Sequence, residues 1–231
     1  MINIRCHIHG VFAQRAFDHI GGHGCPKCGF ELPRNEDWKG RRPEKKVEGV
    51  GINDMPFTKN GDAYLIWHNL LKRCYNANFQ ERQPMYVGCS VCEEWLTFSN
   101  FKKWFDNPEN GYRKGFQLDK DIIVKGNKIY SPETCCFIPQ AINCIFGFNS
   151  HKQSKLPVGV YLHRGKIEAI LNKYGKNKFL GTFHSVEEAF ESYKFAKEAY
   201  IKEVATTHYQ RGEITQRVYD ALMRYEVGLK G

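Results

Sequence analysis

Two pairs of residues near the start of the chain have the spacing of a metal knuckle: Cys6 with His9, and Cys25 with Cys28. A C-x2-H and a C-x2-C each place both donors on one side of an ion, and four such N/S donors suit tetrahedral Zn2+. A site closed by four protein ligands holds a fold and does no catalysis, so the expected role is structural. His7 is the substitute ligand nearest to hand, while His19 and His23 are expected at the surface or on phosphate. A second set of reactive side chains lies in "LDKDIIVKGNKIYSPETC". Asp119 and Asp121 flank Lys120, and alternate residues of a strand share a face. Two carboxylates on one face suit a hard divalent ion such as Mg2+, centred on Asp119. Lys120 then points the other way, Asn127 in the following turn is placed to orient a phosphate, and Thr134 stands at the start of the next element.

The elements that must hold these groups read as an α+β chain of small modules. Residues 1–31 form a metal-pinned ribbon, too short to bury much apolar surface without the ion. Residues 32–62, with Pro33, Pro43 and several glycines, read as a linker. Its Arg41, Arg42, Lys45 and Lys46 suit a phosphate backbone as well as they suit water.

In residues 63–150, "AYLIWHNLLKRCY" has the pattern of an amphipathic helix, and Trp95, Phe98, Phe101 and Trp104 or Phe105 repeat at helical spacing as a core face. "FQLDKDIIV" and "KIYS" are expected to pair as a hairpin across Lys125-Gly126-Asn127, with a helix opening near Ser131 and Pro132 in its first turn. Cys74, Cys89, Cys92, Cys135 and Cys136 include one further C-x2-C, but buried packing is the preferred use, since no second knuckle accompanies it.

Residues 155–207 show three short strands, Val158 to His163, Lys166 to Lys173 and Lys178 to Phe183, turning at Gly165 and Gly175. A helix follows, with Ser185 as N-cap and Glu188 completing a capping box. Val186, Ala189, Phe190, Tyr193, the Lys197 stem and Tyr200 form its sheet-facing side. The other side of the sheet is left free, with Arg164, Lys166, Lys173, Lys176 and Lys178 expected on it as a basic surface. Residues 208–231 add one more amphipathic helix.

Composition narrows the partners. The chain has 231 residues, 42% hydrophobic and 26% charged, with a formal net charge of +9. Basic surface interleaved with aromatics favours a polyanion, because binding releases condensed counterions. Nine cysteines, an odd count with no apolar leader, point to a reducing compartment. No window has the length of a membrane span, so no membrane role is expected.

Taken together, "IWHNLLKRCY", "YVGCSVCEEWLTFSNFKKWF", "LDKDIIVKGNKIYSPETC" and "GVYLHRGKIEAI…FLGTFHSVEEAFESY…AKEAY" resemble bacteriophage HNH homing-endonuclease-like proteins with a C-terminal AP2-type DNA-binding domain. The likeness covers about residues 49 to 205, and "CHIHG…GCPKCG" is similar to the zinc ribbons of such nucleases. It implies a degenerate ββα-metal core at 63–150, an AP2-like sheet and helix at 155–207, double-stranded DNA as partner, and the cytoplasm of a bacterial host. In that family the first strand ends in Asp-His, the Asp binding a divalent ion and the His deprotonating water, and an Asn or His follows on the helix. Here Asp119 takes the ligand position, Lys120 stands where the base His belongs, and Thr134 replaces the second ligand. Lysine is a base only if its pKa falls by about three units at neutral pH, and nearby carboxylates and phosphate oppose that. The implied activity is metal-dependent nicking with an atypical site. The alternatives are a DNA-binding regulator on a retired nuclease scaffold, or a protein that binds a host factor. On the AP2-like sheet, the implied contacts are Tyr161, His163, Arg164, Lys166, Asn172 and Lys178.

Overall fold

The computed structural model describes residues 1–20, 23–27, 46–55, 61–146 and 156–229. Two compact units divide the chain, residues 1–45 and 46–231.

In the first unit, β1 (Ile2–Cys6) and β2 (Gly10–Gln14) pair antiparallel from Ile2↔Gln14 to Cys6↔Gly10. Gly10, at φ +76°, closes the tip that carries His9. A short helix, α1 (Ala16–Ile20), follows, with Phe17 and Ile20 each 85% exposed. Among the described residues of this unit no apolar side chain is buried. The described part of this unit therefore gains little from hydrophobic burial.

The second unit begins with the end of the expected linker, which is folded. Val47 and Gly51 form an antiparallel bridge, and Ile52 bridges Thr97. Gly51 lies so close to Trp67 and Leu71 that an added Cβ would sit 2.4 Å from Leu71 Cδ1. α2 (Asp62–Tyr75) buries Ala63, Trp67, Leu70, Leu71 and Cys74, one stripe of a 3.6-residue repeat. α3 (Ala77–Arg82) starts at Asn76, whose side chain accepts from Phe79 N at 2.9 Å. β3 (Ser90–Val91) and a 3-10 turn, Glu93–Leu96, lead into α4 (Phe98–Phe105). Trp95, Phe98 and Phe101 are fully buried, and Trp95 packs edge-on against Phe101 at 5.0 Å. The aromatic repeat is thus core, as its spacing predicts.

The strands around residue 120 pair differently from expectation. β4 (Gln117–Asp119) runs antiparallel to β6 (Cys136–Ile138), while β5 (Ile129–Tyr130) lies parallel to β3. The chain does not close a hairpin between β4 and β5. The apolar run Cys136-Phe137-Ile138 is buried on every side chain, and it outcompetes the shorter, half-exposed "KIYS" for the β4 edge. No helix opens at Ser131 either: Cys135 N donates to Ser131 O at 2.9 Å in a single turn around Pro132. The helix starts later, as α5 (Gln140–Phe146), with Ile142 N donating to Pro139 O.

β7 (Val160–His163), β8 (Lys166–Lys173) and β9 (Lys176–Phe183) form an antiparallel sheet in sequence order, as the turn glycines predict. α6 (Val186–Gln210) covers one face, and Ser185 Oγ accepts from Glu188 N at 3.1 Å. The Glu188 carboxylate reaches back to His184 N, one residue earlier than in the usual capping box. α7 (Gln216–Met223) is the expected last helix, and Val218 and Leu222 bury it. The core beneath the sheet joins Val160, Ala169 and Leu171 to Phe190, Tyr193 and Ile201, and extends to Ile122, Ile138 and Ile142. The β4–β6 region and the sheet therefore share one interior.

Candidate functional sites

At the tip of the β1–β2 hairpin, Cys6, His9 and Cys25 converge, with all three donor atoms within 4.8 Å of one another. His9 Nδ1 is 3.8 Å from Cys6 Sγ and 3.6 Å from Cys25 Sγ. Zn–S and Zn–N bonds of about 2.3 and 2.0 Å at tetrahedral angles set an S···N separation of about 3.6 Å. The three residues could therefore hold a metal ion, and their spacing is compatible with zinc at His9 Nδ1. Cys28, the fourth expected ligand, lies outside the described residues. His7, His19 and His23 line the cavity beside the cluster, and His23 Nδ1 sits 3.0 Å from Asp18 O. No other group of three or more such donors occurs among the described residues. Cys74, Cys89, Cys135 and Cys136 are buried free thiols, and burial pushes Cys74 and Cys135 up to about 12. These four thiols are buried packing groups, in keeping with the reading preferred from sequence.

The loop between β4 and β6 brings Asp119, Lys120, Asp121, Asn127 and Thr134 together, but as a closed hydrogen-bond network. β4 ends at Asp119, so Asp119 and Asp121 do not share a strand face as expected. Asp119 Oδ1 instead accepts from Asp121 N at 2.7 Å and from Ile122 N at 2.8 Å, turning the chain. Burial raises the Asp119 carboxyl above the usual range despite those two donors. Lys120 is only 8% exposed, and its Nζ lies 2.7 Å from both oxygens of Asp121 and 3.0 Å from Asn127 O. Asn127 Nδ2 donates to Lys120 O and Ile129 O, and Thr134 Oγ1 also donates to Ile129 O. Neighbouring residues seal the loop: Lys125 Nζ donates to Glu226 O, and Arg217 Nη1 to Pro132 O.

This donor set is already engaged within the loop. One Asp119 oxygen is spent on the backbone, Asp121 already faces a cation, and Thr134 points at a carbonyl. The residues of the expected Mg2+ site at Asp119 are thus engaged in hydrogen bonds and an ion pair within the loop. Lys120 is likewise engaged, its Nζ donating to both Asp121 oxygens and to Asn127 O.

On the sheet, register decides which side chains are available. Directly opposed residues share a face, so Val160, Ala169 and Leu171 set the helix side. The open side carries His163 beside Lys166, Tyr161 beside Glu168 and Thr182, Ile170 beside Phe179, and Asn172 beside Asn177. A bulge at Leu180, opposite Ala169/Ile170, shifts β9 by one residue and reverses the side chains beyond it. On the turn side of the bulge, Lys178 pairs with buried Leu171 on the helix side, where Lys173 first and Lys178 less strongly lower the Glu203 carboxyl of α6. Lys173 also lies there, its Nζ 2.6 Å from Glu203 Oε2, and Lys176 pairs with it.

The expected basic face is therefore corrected: Lys173, Lys176 and Lys178 are not on the open side. His163 and Lys166 are, and His163 Nδ1 lies 3.6 Å from Glu168 Oε1. Arg164 occupies the β7–β8 turn at φ 51°. Tyr161 and Phe179 stand 51% and 58% exposed on this face. Sequence reasoning missed Phe179, Asn177 and Glu168. Counting outward from the Gly175 turn would have placed Asn177 and Phe179 opposite Asn172 and Ile170.

No family model, curated protein or solved structure matches this chain.

Proposed function

We propose that this chain is a double-stranded DNA-binding protein in which the open face of β7–β8–β9 enters the major groove and the β4–β6 loop serves as scaffold. The observation that carries this reading is an uncovered antiparallel sheet face, aromatic and polar, on a chain of formal charge +9. Three strands spaced about 4.8 Å apart span about 10 Å, within the ~12 Å width of a major groove. Arg164 and Lys166 at one end are placed to meet phosphates, while the rest of the face carries Glu168 among neutral groups. The Cys6–His9–Cys25 cluster supports a structural zinc in the N-terminal unit.

Nicking or cutting, implied by the family likeness, is not part of this proposal. β4 pairs antiparallel with β6, and α5 follows. The loop's reactive groups are bound to one another: Lys120 to Asp121, and Asp119 to its own loop.

Two measurements test the proposal. Anisotropy of a labelled duplex should show binding at low salt that weakens steeply as salt rises. Supercoiled plasmid incubated with Mg2+ or Mn2+ should stay supercoiled. Failure to bind any duplex at low salt would sink the reading, and would favour a protein partner for the same face. Nicking that disappears in Asp119→Ala would overturn the scaffold assignment and restore the endonuclease.

A further inference from the structure

We infer that the β8–β9 end of the open face selects A·T pairs, with Ile170 and Phe179 contacting thymine methyl groups and Asn172 with Asn177 contacting the adenine edge. The inference rests on the duplex reading above and adds the chemistry the sheet would recognise. It follows from how the register sorts the open side into four rows. Two rows are ionic or mixed: His163 with Lys166, and Tyr161 with Glu168 and Thr182. The other two are Ile170 with Phe179, and Asn172 with Asn177, whose amides are joined by a 3.0 Å hydrogen bond.

Successive rows along a strand are about 6.7 Å apart, the length of about two base pairs at 3.4 Å each. One end of the sheet thus faces different base pairs from the other. Among the described residues at the β8–β9 end, no charged side chain points to the open side. The lysines nearest in sequence, Lys173 and Lys178, lie on the helix side, where Lys173 is held by Glu203. Guanine is most often read by Arg or Lys through O6 and N7, and this end offers neither. Thymine presents a methyl group that pairs with apolar side chains, and adenine presents N6 and N7, which suit an asparagine amide. Phe179, 58% exposed next to Ile170, is an apolar surface of the right kind, in line with an amide pair one row away.

The test uses the full chain and three labelled duplexes about two helical turns long. Their sequences are alternating A·T, alternating A·U and alternating G·C. Uracil keeps every hydrogen bond of thymine and removes only the methyl group. The expected order is A·T tightest, with A·U weaker by about fourfold for each methyl group contacted. Phe179→Ala should narrow the difference between A·T and A·U, and Ile170→Ala with Phe179→Ala should erase it. Lys178→Ala, on the helix side, should leave that ratio unchanged. Circular dichroism checks that these variants fold.

Equal affinity for A·T and A·U, or a preference for G·C, would overturn this inference and leave duplex binding standing. Binding to none of the three would remove the duplex reading and this inference with it.

Discussion

Replacing Asp119 by Asn and by Ala separates a loop anchor from a metal ligand. Asp119 Oδ1 accepts two backbone donors, one from Ile122, which is buried, and one from Asp121, which is exposed. Asp119→Ala leaves the Ile122 N–H without its partner, at a cost of about 1–3 kcal/mol, and adds less for the wetter donor. A total near 2–3 kcal/mol is expected, which moves a urea midpoint by about 1 M for a typical domain. Asp119→Asn keeps an oxygen for both donors and removes a partly buried charge, so at neutral pH it should match or exceed the parent in stability.

The pH dependence follows from the direction of the shift. Burial raises the folded-state pKa of Asp119 above its unfolded value, so the folded state holds that proton more tightly. The parent therefore gains stability relative to Asp119→Asn as pH falls through the folded value. The gain is complete below the unfolded value near ~4, and is lost again as pH rises. Urea titrations followed by the fluorescence of buried Trp67 and Trp95 measure both effects. An Asp119→Ala variant as stable as the parent would refute the anchor. So would an Asp119→Asn variant as unstable as the alanine, because the charge would then be in use.

Other measurements address the remaining parts. Purified protein should carry one zinc per chain; Cys25→Ser and His9→Ala should lose it and Cys89→Ser should keep it, as read by metal analysis. Gly51→Ala should destabilise the second unit by about 1–3 kcal/mol in urea, since its Cβ would press on Leu71 and Trp67 in a packed core. In duplex titrations across salt, Arg164→Ala and Lys166→Ala should each flatten the log–log slope by about 1. Tyr161→Ala should weaken binding without changing that slope.

Much of this molecule is set by local signals. The Cys6–His9 knuckle, the Gly165 and Gly175 turns, the Ser185 cap and the aromatic stripe from Trp95 to Phe105 all depend on residues a few positions apart. Their geometry is fixed by hydrogen bonds and apolar spacing that a linear reading contains. What lay beyond it was decided by competition between distant segments. β4 had two possible partners, and the fully buried β6 was chosen, which made a closed loop of the residues that looked catalytic. A single inserted residue at Leu180 turned Thr182 to the open face and Gly181 and Phe183 to the helix side, because side chains alternate with a period of two. Residue types and turns are thus properties of the chain, while the charge state of a site and the face a side chain occupies depend on what each strand finally packs against.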